Sequence, residues 1–245
     1  MTKYKIILKS KKTVAIIVAG GKGKRMGRPK QFISIAGKPV LWWTVKAFQN
    51  SKSIDGIVLV VNAQDIPRAR RFGFSKVICV VAGGLERQDS VYNGILALPD
   101  DVEVVAIHDG ARPLISSEII EKAIDEANIY GAVVVGVPVK DTIKQIQKLN
   151  IKVKNKSEYL SPKIQRTLDR ETLWSAQTPQ VFRKEVLLKA YKKGYNKYSV
   201  TDDAMLVERL GIPVKMVMGS YTNLKITTPE DLLVASQILK KRRKA

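Results

Sequence analysis

Histidine and cysteine are almost missing from this chain, with one of each in 245 residues. One cysteine excludes an internal disulfide framework and suits a reducing compartment. Cys79 lies in the apolar run VICVVAG and is expected to be a buried structural thiol. One histidine leaves His-dependent general-base chemistry nearly without a candidate. His108 also adjoins an apolar run, where a satisfied structural group is the plainer reading. No apolar stretch approaches the roughly 20 residues that cross a bilayer. The opening MTKYKIILKSKK has no arginine, no continuous apolar segment and no small-residue cleavage site, so no transit peptide is expected. Aromatics are only 7% and do not interleave with the basic stretches as a base-stacking platform would. Two familiar phosphate loops are missing as well. No G-x-x-x-x-G-K-[ST] occurs, and G-x-G-x-x-G counted from Gly21 fails because Met26 takes the third glycine place.

Acidic residues are scarce too, 22 against 43 basic ones, for a net charge of +21. Such an excess suits either a nucleic-acid binder with a basic footprint or a protein that handles polyanionic small molecules. The charge is scattered, densest at 3–12, 22–30, 140–156 and in the tail KKRRK, and charge alone leaves both readings open.

Apolar, β-branched runs alternate with amphipathic stretches along most of the chain. Segments 13–19, 56–62, 76–82, 102–108 and 131–139 read as buried strands, and 39–50, 87–98 and 116–130 as helices. That alternation predicts a mostly parallel sheet covered on both faces. The lysine-rich stretch 141–170 alternates polar and apolar residues and reads as a projecting β-arm. Helices at 183–193 and 202–210, a strand at 213–219 and a helix at 228–243 complete one domain, 13–245, behind a basic extension, 1–12.

In a doubly wound sheet, ligands sit beyond the carboxyl ends of the strands. The first such end carries VAGGKGKRMGRPKQF (18–32), a glycine turn that can bring backbone N–H groups close to an anion and that bears Arg25 and Lys30. GGLERQDSV (83–91) places glycines before a helix start, with Ser90 in reach. HDGARP (108–113) supplies Asp109, a possible seat for Mg²⁺ beside phosphates, and Arg112. TNLKITTPEDL (222–232) carries Lys225 on what reads as a short strand, and TLDRETLW (167–174) carries Arg170. Taken singly, each could be a solvated turn, a loop cap or a surface ion pair. Together they fit one chemistry. A phosphate monoester, whose second pKa is about 6, needs no general base to act as a nucleophile near neutral pH. Attack on the α-phosphate of a nucleoside triphosphate then needs cations to hold and neutralise crowded negative charge.

The ordered motifs V-A-G-G-K-G-K-R-M-G…P-K-Q-F, G-G-x-E-R-Q-D-S-V, H-D-G-A-R-P, P-V-K-D-T-I-K, D-R-x-x-L-W-x-A-Q-T-P-Q-V-F, T-D-D-A and N-L-K-I-T-x-P-E-D-L resemble the 2-C-methyl-D-erythritol 4-phosphate cytidylyltransferase family of the non-mevalonate isoprenoid pathway. The resemblance spans about residues 13 to 240. It implies a single Rossmann-like nucleotidyltransferase domain, α/β with a mostly parallel sheet flanked by helices, plus a protruding β-arm. It implies transfer of CMP from CTP to methylerythritol phosphate with Mg²⁺ as cofactor. By this resemblance Arg25, Lys30 and Lys225 are catalytic, and Ala19, Gly20, Gly21, Gly23, Gly83, Ser90 and Ala111 line the nucleotide site. Arg170 and Thr142 on the arm, with Asp109, Arg112 and Thr178, meet the alcohol phosphate, and Asp109 is also the metal candidate. The family implies a homodimer whose arm crosses to the partner's site, with no specific nucleic acid, no membrane and a cytoplasmic (or plastid-stroma) location. The arm stretch 148–164, the N-terminal extension and the basic tail have no counterpart role. Two rival readings are a ribitol- or other polyol-phosphate cytidylyltransferase and a nucleic-acid-binding protein on a similar scaffold.

Overall fold

The structure, a computed structural model, describes residues 12–21, 29–147, 163–195 and 200–244. β1 (Thr13–Ala19) precedes the short pair β2 (Ser34–Ile35) and β3 (Lys38–Pro39). Then come α1 (Val40–Asn50), β4 (Gly56–Val61), α2 (Ile66–Arg70), β5 (Val77–Ala82), α3 (Arg87–Leu96), β6 (Val104–Asp109), α4 (Ser117–Tyr130) and β7 (Ala132–Pro138). The second half holds β8 (Lys144–Ile146), β9 (Ile164–Thr167), β10 (Trp174–Arg183), α5 (Lys184–Gly194), α6 (Ala204–Glu208), β11 (Lys215–Met218) and α7 (Pro229–Lys244). None of the described helices is long and apolar enough to cross a membrane.

Seven strands form one sheet in the order β11-β7-β10-β6-β1-β4-β5. All neighbours run parallel except β10, which is antiparallel to both β6 and β7. Strand alternation divides β1 between two cores. Ala15, Ile17 and Ala19 join a cluster with Leu41, Val45 and Phe48 of α1 and Ile120, Ala123 and Ile124 of α4. Val14 and Ile16 join the opposite cluster with Val91 and Ile95 of α3 and Leu187 and Tyr191 of α5. Burial on both faces is why the central strands read as unbroken apolar runs. A third cluster, with Ile35, Val40, Leu114, Ile226, Ala235 and Leu239, seats α7 on the edge of the domain.

Three differences from the sequence reading have physical causes. β10 carries Gln177, Thr178 and Gln180, so its sequence lacks a strand's apolar rhythm, yet those polar side chains are buried and hydrogen-bonded inside the sheet. Its register shifts between Ala176 and Gln180. The segment around Lys225 is not a strand. It is pinned by the Ile226 N–H to the Ala111 carbonyl at 2.8 Å and by the buried Asn223, without a ladder. Cys79 is half-buried, because β5 is the last strand of the sheet and has one open edge.

The arm is represented by β8 and β9, which pair antiparallel as a separate two-stranded sheet with every residue exposed. Its stretch 148–162 lies outside the described residues, as do the extension 1–11 and the loop 22–28.

Candidate active site

The carboxyl ends of β1, β4, β5 and β6 meet on one rim, as their parallel pairing requires. There backbone hydrogen bonds tie the strand ends and loops together. The Gly83 N–H donates to the Val61 carbonyl at 2.7 Å, and the Gly110 N–H donates to the Val18 carbonyl at 2.8 Å. A Cβ on Gly83 would stand 2.7 Å from Ser90 Oγ, and one on Gly20 would stand 3.7 Å from Gly83 Cα. Ser90 Oγ accepts from the Gly84 N–H at 3.1 Å and donates to the Glu86 carbonyl at 3.2 Å. Glu86 and Asp89 close a capping box over the start of α3. Gly20, Gly83 and Ser90 are therefore brought together, with Gly21 next to Gly20 and its carbonyl held by Gln31 Nε2 at 3.3 Å. Ala19 and Ala111 are buried behind this rim. Gly23 and Arg25 lie outside the described residues, and Lys30 opens a short 3₁₀ turn, Lys30–Phe32, directly after the glycine loop.

Asp109, at the end of β6, is the electrostatic centre of the rim. Its Oδ1 accepts from Arg87 Nε at 3.3 Å, while Oδ2 faces Lys225 Nζ at 2.8 Å and Arg112 Nε at 3.6 Å. Burial opposes its charge, but Arg87, Lys225 and Arg112 outweigh it and hold the carboxyl well below the usual carboxylate range. Arg112 is anchored in turn by donation from Nη1 to the Asn223 carbonyl at 2.8 Å. Asn223 Nδ2 donates to Gln177 Oε1 and the Thr178 carbonyl, both at 3.0 Å. Thr178 Oγ1 accepts from the Asp109 N–H at 3.0 Å. β10 and the Lys225 segment are thus locked to β6, and Asp109, Arg112, Thr178 and Lys225 form one constellation.

Arg170 and Thr142 are not part of it within one chain. Both are exposed, and Arg170 donates from Nη1 to the Lys140 carbonyl at 2.8 Å. Lys140 Nζ lies 3.6 Å from the centre of the Tyr221 ring, whose hydroxyl donates to the Pro138 carbonyl at 2.8 Å. These contacts fix the base of the arm to the domain rather than to Asp109.

Mg²⁺ can be tested against the donor set. Among the described residues no group of three His, Cys, Asp or Glu side chains could hold a metal. Both oxygens of Asp109 already face cations, so a dication held there by protein groups would meet three like charges. The described residues do not fit a protein-held metal centre.

Sequence reasoning passed over two residues of this site. Arg87 stands in GGLERQDSV and Asp203 in TDDA, both quoted motifs, but nothing in their spacing showed that they meet across the fold.

Comparison with known proteins agrees with this geometry. The sequence model of IspD, 2-C-methyl-D-erythritol 4-phosphate cytidylyltransferase, matches residues 13–241. The chain is 49% identical over 240 residues to the 2-C-methyl-D-erythritol 4-phosphate cytidylyltransferase of Alkaliphilus oremlandii, covering 95% of this chain and 97% of that one. It is 47% identical to the enzyme of that name from Caldanaerobacter subterraneus subsp. tengcongensis, over 93% and 98% of the two chains. Its fold is similar to the crystal structure of 4-diphosphocytidyl-2C-methyl-D-erythritol synthase from Anaerococcus prevotii, with a TM-score of 0.80, 32% identity, and 94% and 97% coverage. A match across almost the whole domain, on a rim that gathers glycines and paired cations, places this chain in the 2-C-methyl-D-erythritol 4-phosphate cytidylyltransferase family.

Proposed function

We infer that this chain transfers the cytidylyl group of CTP to 2-C-methyl-D-erythritol 4-phosphate. A phosphate oxygen of the alcohol phosphate attacks the α-phosphorus of CTP, and the bond from that phosphorus to the pyrophosphate oxygen breaks. The products are 4-diphosphocytidyl-2-C-methyl-D-erythritol and pyrophosphate. The observation that carries the reading is the convergence of Lys225, Arg112 and Arg87 on Asp109, beside a glycine turn in which a Cβ on Gly83 would stand 2.7 Å from Ser90 Oγ. Such a rim accepts a polyphosphate and answers charge with charge.

On this reading Ala19, Gly20, Gly21, Gly23, Gly83, Ser90 and Ala111 take the nucleotide, much of it through backbone groups. Arg25, Lys30 and Lys225 stabilise the charge that builds on the α-phosphate. Asp109, Arg112 and Thr178 form the inner wall for the second substrate. Arg170 and Thr142 reach that substrate from the arm of a second copy, consistent with their exposure and their separation from Asp109 in one chain. Mg²⁺ belongs to this reading as a companion of the triphosphate. The activity requires no membrane and no nucleic acid and is assigned to the cytoplasm, or to a plastid stroma in a source that has one.

A pyrophosphate-release assay with CTP and either methylerythritol phosphate or ribitol 5-phosphate tests the substrate. Turnover with the first at least tenfold above the second is expected, and the reverse preference would sink the assignment. Lys30→Ala is expected to lower kcat by about 10²-fold or more with an unchanged melting temperature.

A further inference from the structure

Behind Asp109 stands a second line of charge that substrate contact does not explain. Arg87, the first residue of α3, spans two carboxylates: its Nε donates to Asp109 Oδ1 at 3.3 Å and its Nη2 to Asp203 Oδ2 at 2.8 Å. Asp203 is 1% exposed. Its other oxygen accepts from the buried Tyr191 hydroxyl at 2.7 Å, and its N–H donates to Gln180 Oε1 at 3.0 Å. Burial works against ionisation of Tyr191, with the Asp203 charge adding to that, so the phenol stays a donor. Tyr195, one turn further on in the chain, donates to Asp89 Oδ1 at 3.0 Å and stacks on Tyr92 of α3 with ring centres 4.3 Å apart. The start of α3 is therefore braced twice from the end of α5.

Both carboxylate oxygens of Asp203 are thus engaged, and Arg87 bridges it to Asp109. With Oδ1 of Asp109 facing Arg87, its Oδ2 faces Lys225. We propose that Arg87, braced by Asp203 and Tyr191, is a positioning residue that orients Asp109 and, through it, sets Lys225 against the reacting phosphates. The proposal rests on the cytidylyl-transfer reading and adds a residue to it.

A plainer role would be to neutralise two buried carboxylates, which are strongly destabilising when left unpaired. The two roles separate chemically. A lysine at this position restores the charge, but its ammonium is a single point without the guanidinium's rigid fork. Neutralisation alone therefore predicts that lysine suffices, whereas positioning predicts that it does not.

The test compares the unaltered chain with Arg87→Lys and Asp203→Asn, each made alone and with Lys225→Ala. Melting temperature, kcat, and KM for CTP are measured with CTP and methylerythritol phosphate. Asp203→Asn keeps an oxygen for the Tyr191 hydroxyl and serves if Arg87→Lys does not fold. Arg87→Lys is expected to melt close to the unaltered chain, to lose about 10- to 100-fold in kcat, and to keep KM for CTP within about threefold. Asp203→Asn moves the same way by a smaller factor. On the Lys225→Ala background either change should cost less than about twofold, because the residue being positioned has gone. Full kcat in both single variants, or the same loss with and without Lys225, would overturn the positioning role alone. Absence of turnover in the unaltered chain would overturn the cytidylyl-transfer reading, and the proposal with it.

Discussion

His108 shows how a single side chain supports the rim without touching substrate. It is fully buried, with Nδ1 3.0 Å from Thr178 Oγ1, Nε2 3.3 Å from the Arg112 carbonyl and its ring 4.8 Å from Phe48. The Arg112 carbonyl can only accept, so Nε2 carries the ring proton, and in the neutral ring Nδ1 accepts from the Thr178 hydroxyl, whose oxygen also accepts from the Asp109 N–H. Burial pushes the imidazole down to about 3, Arg112 and Lys225 add to this, and Asp109 and the Arg112 carbonyl oppose it. The unfolded chain presents an ordinary imidazole near 6.5. Below that pH the unfolded state takes up a proton that the folded state refuses, so stability falls as pH drops through the window from 6.5 to about 3. Asp109, held below the carboxylate range, keeps its charge through most of that window. Chemical denaturation from about pH 7 to about pH 5 should cost the unaltered chain about 2 kcal/mol more than His108→Gln. Parallel pH dependences would show that His108 is not held neutral. The structural role of this histidine was legible from its place beside an apolar run. The partnership of Arg87 with Asp203 was not, since 116 residues separate them and each alone reads as a surface charge.

α3 carries both Arg87 and Ser90, and its seat on the sheet depends on a residue with no side chain. A Cβ on Gly94 would stand 2.5 Å from Ile16 Cγ2 and 3.2 Å from Val60 Cγ2, and both neighbours are fully buried. Gly94→Ala sets two effects against each other. Alanine favours the helix by about 1 kcal/mol, while forcing a methyl into a packed core costs about 1–3 kcal/mol. With both neighbours buried in the core, the clash is expected to win. Urea unfolding should give a loss of about 1–2 kcal/mol, together with lower turnover as the helix start moves off Asp109. A gain in stability would mean that α3 is packed more loosely than these distances imply. β1, β4, β6 and β7 were readable because burial on both faces demands unbroken β-branched runs, and β5 carries the same kind of run at the partly open end of the sheet. β10 was not, because three of its buried residues, Gln177, Thr178 and Gln180, are polar and satisfied by partners far off in the chain, such as Asp202 for Gln180. The sequence NLKIT around Lys225 imitates strand alternation, but single contacts through Asn223 and Ile226 hold it instead.

The charge of +21 belongs to the whole molecule rather than to any element. Within the rim the cations Arg87, Arg112 and Lys225 share Asp109, so they form a local contact set rather than the source of the net excess. Among the described residues part of the surplus is exposed, as with Lys189, Lys192 and Lys193 on α5. Composition alone allowed this surplus to serve either nucleic acid or a small polyanion, and the fold now favours the second through the glycine-lined rim. A field of this kind should speed the encounter with CTP and leave the chemical step alone, because steering acts before contact and transition-state contacts act after it. Salt separates the two, since the screening length falls from about 10 Å at 0.1 M to about 3 Å at 1 M. Raising ionic strength from about 50 mM to about 500 mM should lower kcat/KM for CTP by roughly three- to tenfold and change kcat by less than about twofold. Reversing Lys192 and Lys193 to glutamate, outside the site, should lower kcat/KM at low salt by about twofold and flatten its salt dependence. If kcat fell in parallel with kcat/KM, salt would be weakening contacts in the rim itself. If neither salt nor charge reversal moved kcat/KM, the surplus would have no part in capturing the nucleotide.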